Sequence, residues 1–249
     1  MQQGRNGKWV RTGSALVLGL VLAGCAAQGP QQPTVANTHP AVMSAQEQQR
    51  ITPDQALQLL KDGNARYTEG KGGAHDYPRQ VAATGRDGQY PFASIVSCID
   101  SRAAPTQVFD LGVGDVFSAR VAGNIVNPDI LGSLEYGAKV AGARLIVILG
   151  HTSCGAVKGA CDSVALGNLS GLLQRIRPAV EATPDVGGSD RSSHNYPFVD
   201  AVAEKNVHLT VQNLLDQSPV LREMAERKEI RVIGAMLDVK TGKVNFLDS

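Results

Sequence analysis

Two short stretches of this 249-residue chain carry groups whose types and spacing can do chemistry. In Ser97-Cys98-Ile99-Asp100-Ser101-Arg102, a thiol, a carboxylate and a guanidinium alternate. Alternate side chains of an extended segment point the same way, so all three can face one pocket if the strand continues through them. In Gly150-His151-Thr152-Ser153-Cys154-Gly155, an imidazole and a thiol stand three residues apart, the spacing of one helical turn. Cys98, His151 and Cys154 together offer two sulfurs and one nitrogen. That set suits zinc, one ion per chain, with a fourth position left for water. Structural zinc sites usually close all four positions with protein ligands, so three ligands point to reactivity. A lone buried cysteine is commonly a small hydrophobe, and it is the joint presence of both motifs that carries the reading. Cys161, among alanines on a predicted helix, reads as a packing residue.

Both motifs must sit at strand ends for this to work, and the hydrophobic pattern puts them there. Phe92 to Ser97 reads as a short strand, and Arg144 to Leu149 as a continuous apolar run of the kind found in buried parallel strands. Thr52-Pro53-Asp54-Gln55 is a helix start, with Thr52 as N-cap, Pro53 at the first helical position and Gln55 closing a capping box. Further strands are expected at 115–120, near 230–237 and at 243–247. Helices are expected at 130–140, 155–166, 169–182, 199–216 and 219–227, with a surface loop over 184–197. Alternating strands and helices give an α/β fold, a largely parallel central sheet flanked by helices. Such sheets gather ligands beyond the carboxyl ends of their strands, which singles out 97–102 and 150–155.

Composition narrows the function classes. The formal net charge is +1, with 43% hydrophobic and 19% charged residues. No basic face or arm is present, so nucleic acid is not an expected partner. Four cysteines without a C-x-x-C pair suit neither a disulfide scaffold nor a thiol-redox centre. Arg5, Lys8 and Arg11 precede an apolar run, Ser14 to Gly24, which is shaped like an export signal and short for a membrane span. It ends at Leu22-Ala23-Gly24-Cys25, which resembles the lipobox of bacterial lipoproteins, whose cysteine is lipidated and becomes the mature N-terminus. The expected organisation is a lipoprotein signal peptide over 1–24, a flexible tether over 25–49 and a catalytic domain over 50–249. The expected location is a bacterial membrane, lipid-anchored through Cys25 and facing the periplasm, with Ala26 favouring the outer membrane.

Cys98-x-Asp100-x-Arg102 with His151-x-x-Cys154 resembles the β-class carbonic anhydrases. Pro105-x-x-Val108-Phe109-Asp110, Gly114-Asp115-Val116-Phe117 and Arg120-Val121-Ala122-Gly123-Asn124 resemble the family's run between the two motifs. Leu173-x-Arg175-Ile176-Arg177-Pro178 and Gly234-Ala235-Met236-Leu237-Asp238-x-x-Thr241-Gly242 fit as well. The resemblance covers about residue 52 to the C-terminus. It implies a lyase that hydrates carbon dioxide reversibly to bicarbonate and a proton by metal-bound hydroxide. Zinc would lie on Cys98, His151 and Cys154, Asp100 would accept the hydroxide's hydrogen bond, and Arg102 would clamp Asp100. Gln89, Phe117 and Tyr136 resemble the substrate pocket of the plant-type subgroup. The other subgroup carries a tryptophan where this chain has Ile95, so its inhibitory bicarbonate site is not expected, although Arg120, another usual member, is present. The family also implies a homodimer or higher homo-oligomer with the pocket near the subunit boundary. His194 and His208 are proton-shuttle candidates by type alone. Two other readings keep the fold: hydrolysis of carbon disulfide or carbonyl sulfide, and a non-catalytic zinc-binding lipoprotein.

Overall fold

The computed structural model describes residues 42–247. The signal peptide, Cys25 and most of the expected tether lie outside them. Helix α1 (Ala45–Arg50) is opened by Ser44, whose hydroxyl accepts the Glu47 amide while the Glu47 carboxylate returns to the Ser44 amide. Thr52, Pro53 and Gln55 start α2 (Pro53–Thr68) with the same reciprocal cap, as expected. The chain continues through α3 (Tyr77–Asp87), β1 (Ala93–Ser97), α4 (Pro105–Val108), β2 (Val116–Arg120) and α5 (Pro128–Glu135). A π-helical turn over Tyr136–Val140 extends α5. Then come β3 (Leu145–His151), α6 (Gly155–Cys161), α7 (Gly167–Gln174), α8 (Arg177–Ala182), α9 (Tyr196–Gln217), α10 (Pro219–Glu226), β4 (Arg231–Leu237) and β5 (Val244–Leu247).

The strands form one sheet in the order β2-β1-β3-β4-β5. The first four are parallel and β5 returns antiparallel to β4. β3 is buried along its whole length, which explains why it reads as an unbroken apolar run. Its residues alternate between two cores. Ile146 and Ile148 join Phe198, Val202 and Val207 of α9, while Leu145, Val147 and Leu149 join Ala56, Leu57 and Leu60 of α2. Among the described residues, no helix is long and apolar enough to cross a membrane.

Three local differences from the expected elements have physical causes. The expected tether runs to residue 49, but α1 docks on the domain, where the buried Gln48 donates to the carbonyls of Pro91 (2.7 Å) and Ala141 (2.8 Å). α3 was not expected, because it buries no residue and so has no apolar stripe to read. The single helix expected over 169–182 is two, α7 and α8, with Pro178 in the first turn of the second.

Gly150 bears on both packing and chemistry. A Cβ there would lie 2.5 Å from Val207 Cγ2 and 2.8 Å from Met236 Sδ, so α9 can approach β3 only because the position is bare. Gly150→Ala should cost about 1–3 kcal/mol in denaturant unfolding, the usual penalty for overpacking a filled core. Because Gly150 precedes His151, turnover should fall with it.

Candidate metal centre

β1 and β3 are parallel neighbours, with Ser97 opposite Leu149. Cys98 therefore leaves the end of β1 level with the last two residues of β3, and His151 is the final one. Adjacent strands are about 4.8 Å apart, so the thiol and imidazole meet without any long excursion. The chain then turns through Ser153, which has a positive φ of 57°, and brings Cys154 back as the residue before α6. Asp200 on α9 secures that turn, its Oδ1 accepting the Ser153 amide at 2.6 Å. The segment after β2 closes the other side. Gly123 has φ 69°, and its amide donates to Cys98 Sγ at 3.4 Å.

The three ligand atoms lie within 4.8 Å of one another, and all three residues are buried. Among the described residues, this is the one group of three or more His, Cys, Asp or Glu side chains so placed. The two sulfurs are 4.0 Å apart. Zinc–sulfur bonds of 2.3 Å in tetrahedral geometry put two sulfurs about 3.8 Å apart, so the pair is already near its liganded separation. His151 Nδ1 lies 2.9 Å from the Thr152 carbonyl, while its buried Nε2 has no hydrogen-bond partner. With Nδ1 donating, Nε2 presents a lone pair to the sulfurs, which is how a neighbouring carbonyl orients a metal-binding histidine. The donor set fits zinc.

Proton sharing between the sulfurs is uneven. Hydrogen bonding with Cys154 pulls the Cys98 thiol well below the usual thiol range against the opposing effect of burial, with help from His151 and the amides of Asp100 and Gly123. Cys154 is pushed up by the hydrogen bond with Cys98, by burial and by the Cys98 charge. Burial depresses His151, but the Cys98 thiolate, the Thr152 carbonyl and Asp100 outweigh it, and its pKa rises. Both shifts upward mean that protons compete with a metal for these atoms. Zinc affinity should therefore rise with pH, by about tenfold per unit for each proton displaced. Chelator competition at stepped pH measures this, and a flat profile would contradict it.

Asp100 stands beside the cluster but is not a member of it. Its Oδ1 accepts the Arg102 amide (2.9 Å) and Nε (3.0 Å), and its Oδ2 accepts Arg102 Nη2 (2.8 Å). The guanidinium holds its carboxyl well below the usual carboxylate range, although burial opposes the shift.

The chain matches the carbonic anhydrase family model over residues 93–244. It is 34% identical over 205 residues to carbonic anhydrase 2 of Mycobacterium tuberculosis, covering 79% of this chain and 93% of that protein. It is 32% identical over 199 residues to the carbonic anhydrase of Mycolicibacterium smegmatis, covering 78% and 93%. A solved β-carbonic anhydrase of Aspergillus fumigatus aligns at 26% identity and a TM-score of 0.59, over 78% of this chain and 90% of that one. A tetrameric β-carbonic anhydrase of Sordaria macrospora aligns at 25% identity with the same TM-score, over 69% and 87%. The chain belongs to the β-class carbonic anhydrase family.

The other expected site residues of this carbonic anhydrase lie elsewhere in the chain. Phe117 is paired with Ser94, four residues before Cys98 and so about 13 Å back along the strand at 3.3 Å per residue. Its ring centroid is 6.1 Å from that of Tyr136, which is 56% exposed. Gln89 is exposed and precedes β1, at the amino end of the sheet. Within one chain, the structure thus groups Cys98, His151, Cys154, Asp100 and Arg102 at the carboxyl end of β1 and β3. It leaves Gln89, Phe117 and Tyr136 toward the other end. Ile95 is fully buried. Cys161 is half-buried against the core containing Val157 and Leu173, and burial raises its thiol to about 11. His194 and His208 are both exposed. Sequence reasoning missed Asp200 as an anchor of the ligand turn. It reaches a main-chain amide, a contact that residue type and spacing do not signal.

Proposed function

We propose that this carbonic anhydrase uses one zinc ion, held by Cys98, His151 and Cys154, to hydrate carbon dioxide reversibly to bicarbonate and a proton. The observation that carries the reading is the buried two-sulfur, one-nitrogen cluster, with His151 Nε2 unpartnered and Asp100 clamped beside it. Zinc in an open three-ligand site lowers the pKa of a water to about 7, the value known for carbonic anhydrases with three histidine ligands. Asp100 then accepts the hydrogen of the attacking oxygen and aims a lone pair at the substrate carbon. An ionised carboxylate has about four acceptor positions, and Arg102 occupies three of them.

The pocket belongs to the plant-type subgroup in this reading, with Gln89 donating to the substrate oxygen and Phe117 and Tyr136 forming an apolar wall. Since these residues stand apart from the cluster in one chain, a second copy supplies them across the exposed β2 edge, and the working unit is a homodimer or larger. The tetramer described for the Sordaria macrospora relative is consistent with this. Residues 1–24 direct export, a lipid on Cys25 holds the enzyme to a membrane facing the periplasm, and the stretch up to α1 spaces it from the surface. An unmodified Cys25 in the mass spectrum of mature protein from cells would remove the anchor.

Stopped-flow hydration of carbon dioxide, with zinc measured on the same sample, tests the reaction. Fast hydration at near one zinc per chain is the expected result. A folded, zinc-loaded protein without it would transfer the reading to carbonyl sulfide or carbon disulfide hydrolysis, assayed in parallel, or to a binding role.

A further inference from the structure

The segment carrying Cys98 and Asp100 has no ladder of its own. It lies between the end of β1 and a short 3-10 turn over Ser101–Ala103. Its main chain is held from the neighbouring strand instead. Arg120, the last residue of β2, donates from Nε to the Cys98 carbonyl at 3.0 Å and from Nη2 to the Asp100 carbonyl at 2.6 Å. The register explains the reach. Arg120 lies opposite Ser97, and the Val121 amide bonds the Ser97 carbonyl at 3.0 Å, so the ladder ends there and the guanidinium carries the pairing two carbonyls further. Three residues on, the Gly123 amide meets Cys98 Sγ. The segment 120–123 therefore grips Cys98 at both its carbonyl and its sulfur.

We propose that Arg120 is a positioning residue for the metal centre, fixing through two main-chain carbonyls the separation between the Cys98 sulfur and the Asp100 carboxylate. This rests on the reading that those two groups serve one site. The two arginines divide the work. Arg102 orients the Asp100 side chain, and Arg120 sets where its backbone stands relative to Cys98. Neither donor of Arg120 is aimed at a ligand atom or at the carboxylate, so its influence passes through the peptide units alone. A planar fork of donors can bridge two carbonyls two residues apart, whereas the compact ammonium of lysine has no such paired geometry.

The test uses the metal-loaded full chain with Arg120→Gln and Arg120→Lys. Zinc affinity is read by chelator competition, coordination geometry by the visible spectrum of the cobalt-substituted protein, and folding by thermal melting. Arg120→Gln should weaken zinc binding and lower hydration turnover by roughly 10–100-fold each, as losses of outer partners of metal ligands do. Its cobalt bands should shift, and Arg120→Lys should recover part of each loss. Wild-type affinity and an unchanged cobalt spectrum in both variants would overturn the proposal, whatever their melting temperatures. If Arg120→Gln does not fold, the lysine variant decides alone by the same criteria. Affinity and spectrum need no substrate, so a parent protein inactive toward carbon dioxide would refute the reaction while leaving the role of Arg120 answered.

Discussion

Cys98→Ser should strip the protein of zinc, leaving well under one ion per chain, and reduce hydration of carbon dioxide to background. The two sulfurs meet a dipositive ion with two negative charges once both are thiolates. Serine replaces one of them with a neutral hydroxyl that does not ionise in this pH range. The ion would then carry excess charge in a site where Cys98 is 4% exposed and Cys154 1%, and uncompensated buried charge is strongly disfavoured. Losing the metal forfeits the activated water, so the rate should drop by on the order of 10³-fold or more. The fold should survive, because the serine hydroxyl still fits the space and can accept the Gly123 amide. Cys161→Ser, a half-buried position outside the cluster, should keep both zinc and turnover. Near-stoichiometric zinc with normal turnover in Cys98→Ser would refute the ligand assignment.

How far the sequence reaches is clearest at particular residues. The cap of α2 was legible because Thr52, Pro53 and Gln55 act on their own local backbone. The ligands were legible because strand ends are marked by where apolar runs stop, and parallel neighbours bring those ends level. α1 and α3 escaped notice for the opposite reason. Each has a polar cap, at Ser44 and Asp76, but α1 buries Gln48 alone and α3 nothing, so neither shows the apolar period by which helices are recognised. Arg120 and Asp200 were opaque as loop anchors because their partners are carbonyls and an amide, which every residue type provides. For Gln89, Phe117 and Tyr136, residue identity suggested a pocket, but β-register sets their place. The pairing of Phe117 with Ser94 puts the aromatic pair well back from Cys98.

Asp100→Ala separates metal binding from turnover. Zinc should remain near one per chain, since Asp100 is outside the ligand cluster, while hydration should fall on the order of 10²-fold, the usual scale for losing a positioned proton-accepting group. Stability should fall by about 1–2 kcal/mol at most. The Arg102 side chain is 52% exposed and can be solvated, and exposed ion pairs contribute at most about 1 kcal/mol. Asp100 also caps the turn at Ser101–Ala103 through the Arg102 amide, which adds about 1 kcal/mol. Asp100→Asn is the sharper variant. One of its terminal atoms becomes a donor, and it must face either the guanidinium or the attacking oxygen, both of which need an acceptor. It should lose turnover nearly as fully as alanine despite its matching shape. The pH profile gives an independent check. The Asp100 pKa is depressed in the folded chain, so its pairing stabilises the protein above the ordinary carboxylate value of about 3.9 and is lost only as pH falls through the lowered value. Asp100 therefore stays ionised through the working range, and the acid limb of turnover belongs to other groups. Unimpaired turnover in both variants would mean that Asp100 and Arg102 are a loop-stabilising ion pair and take no part in the reaction.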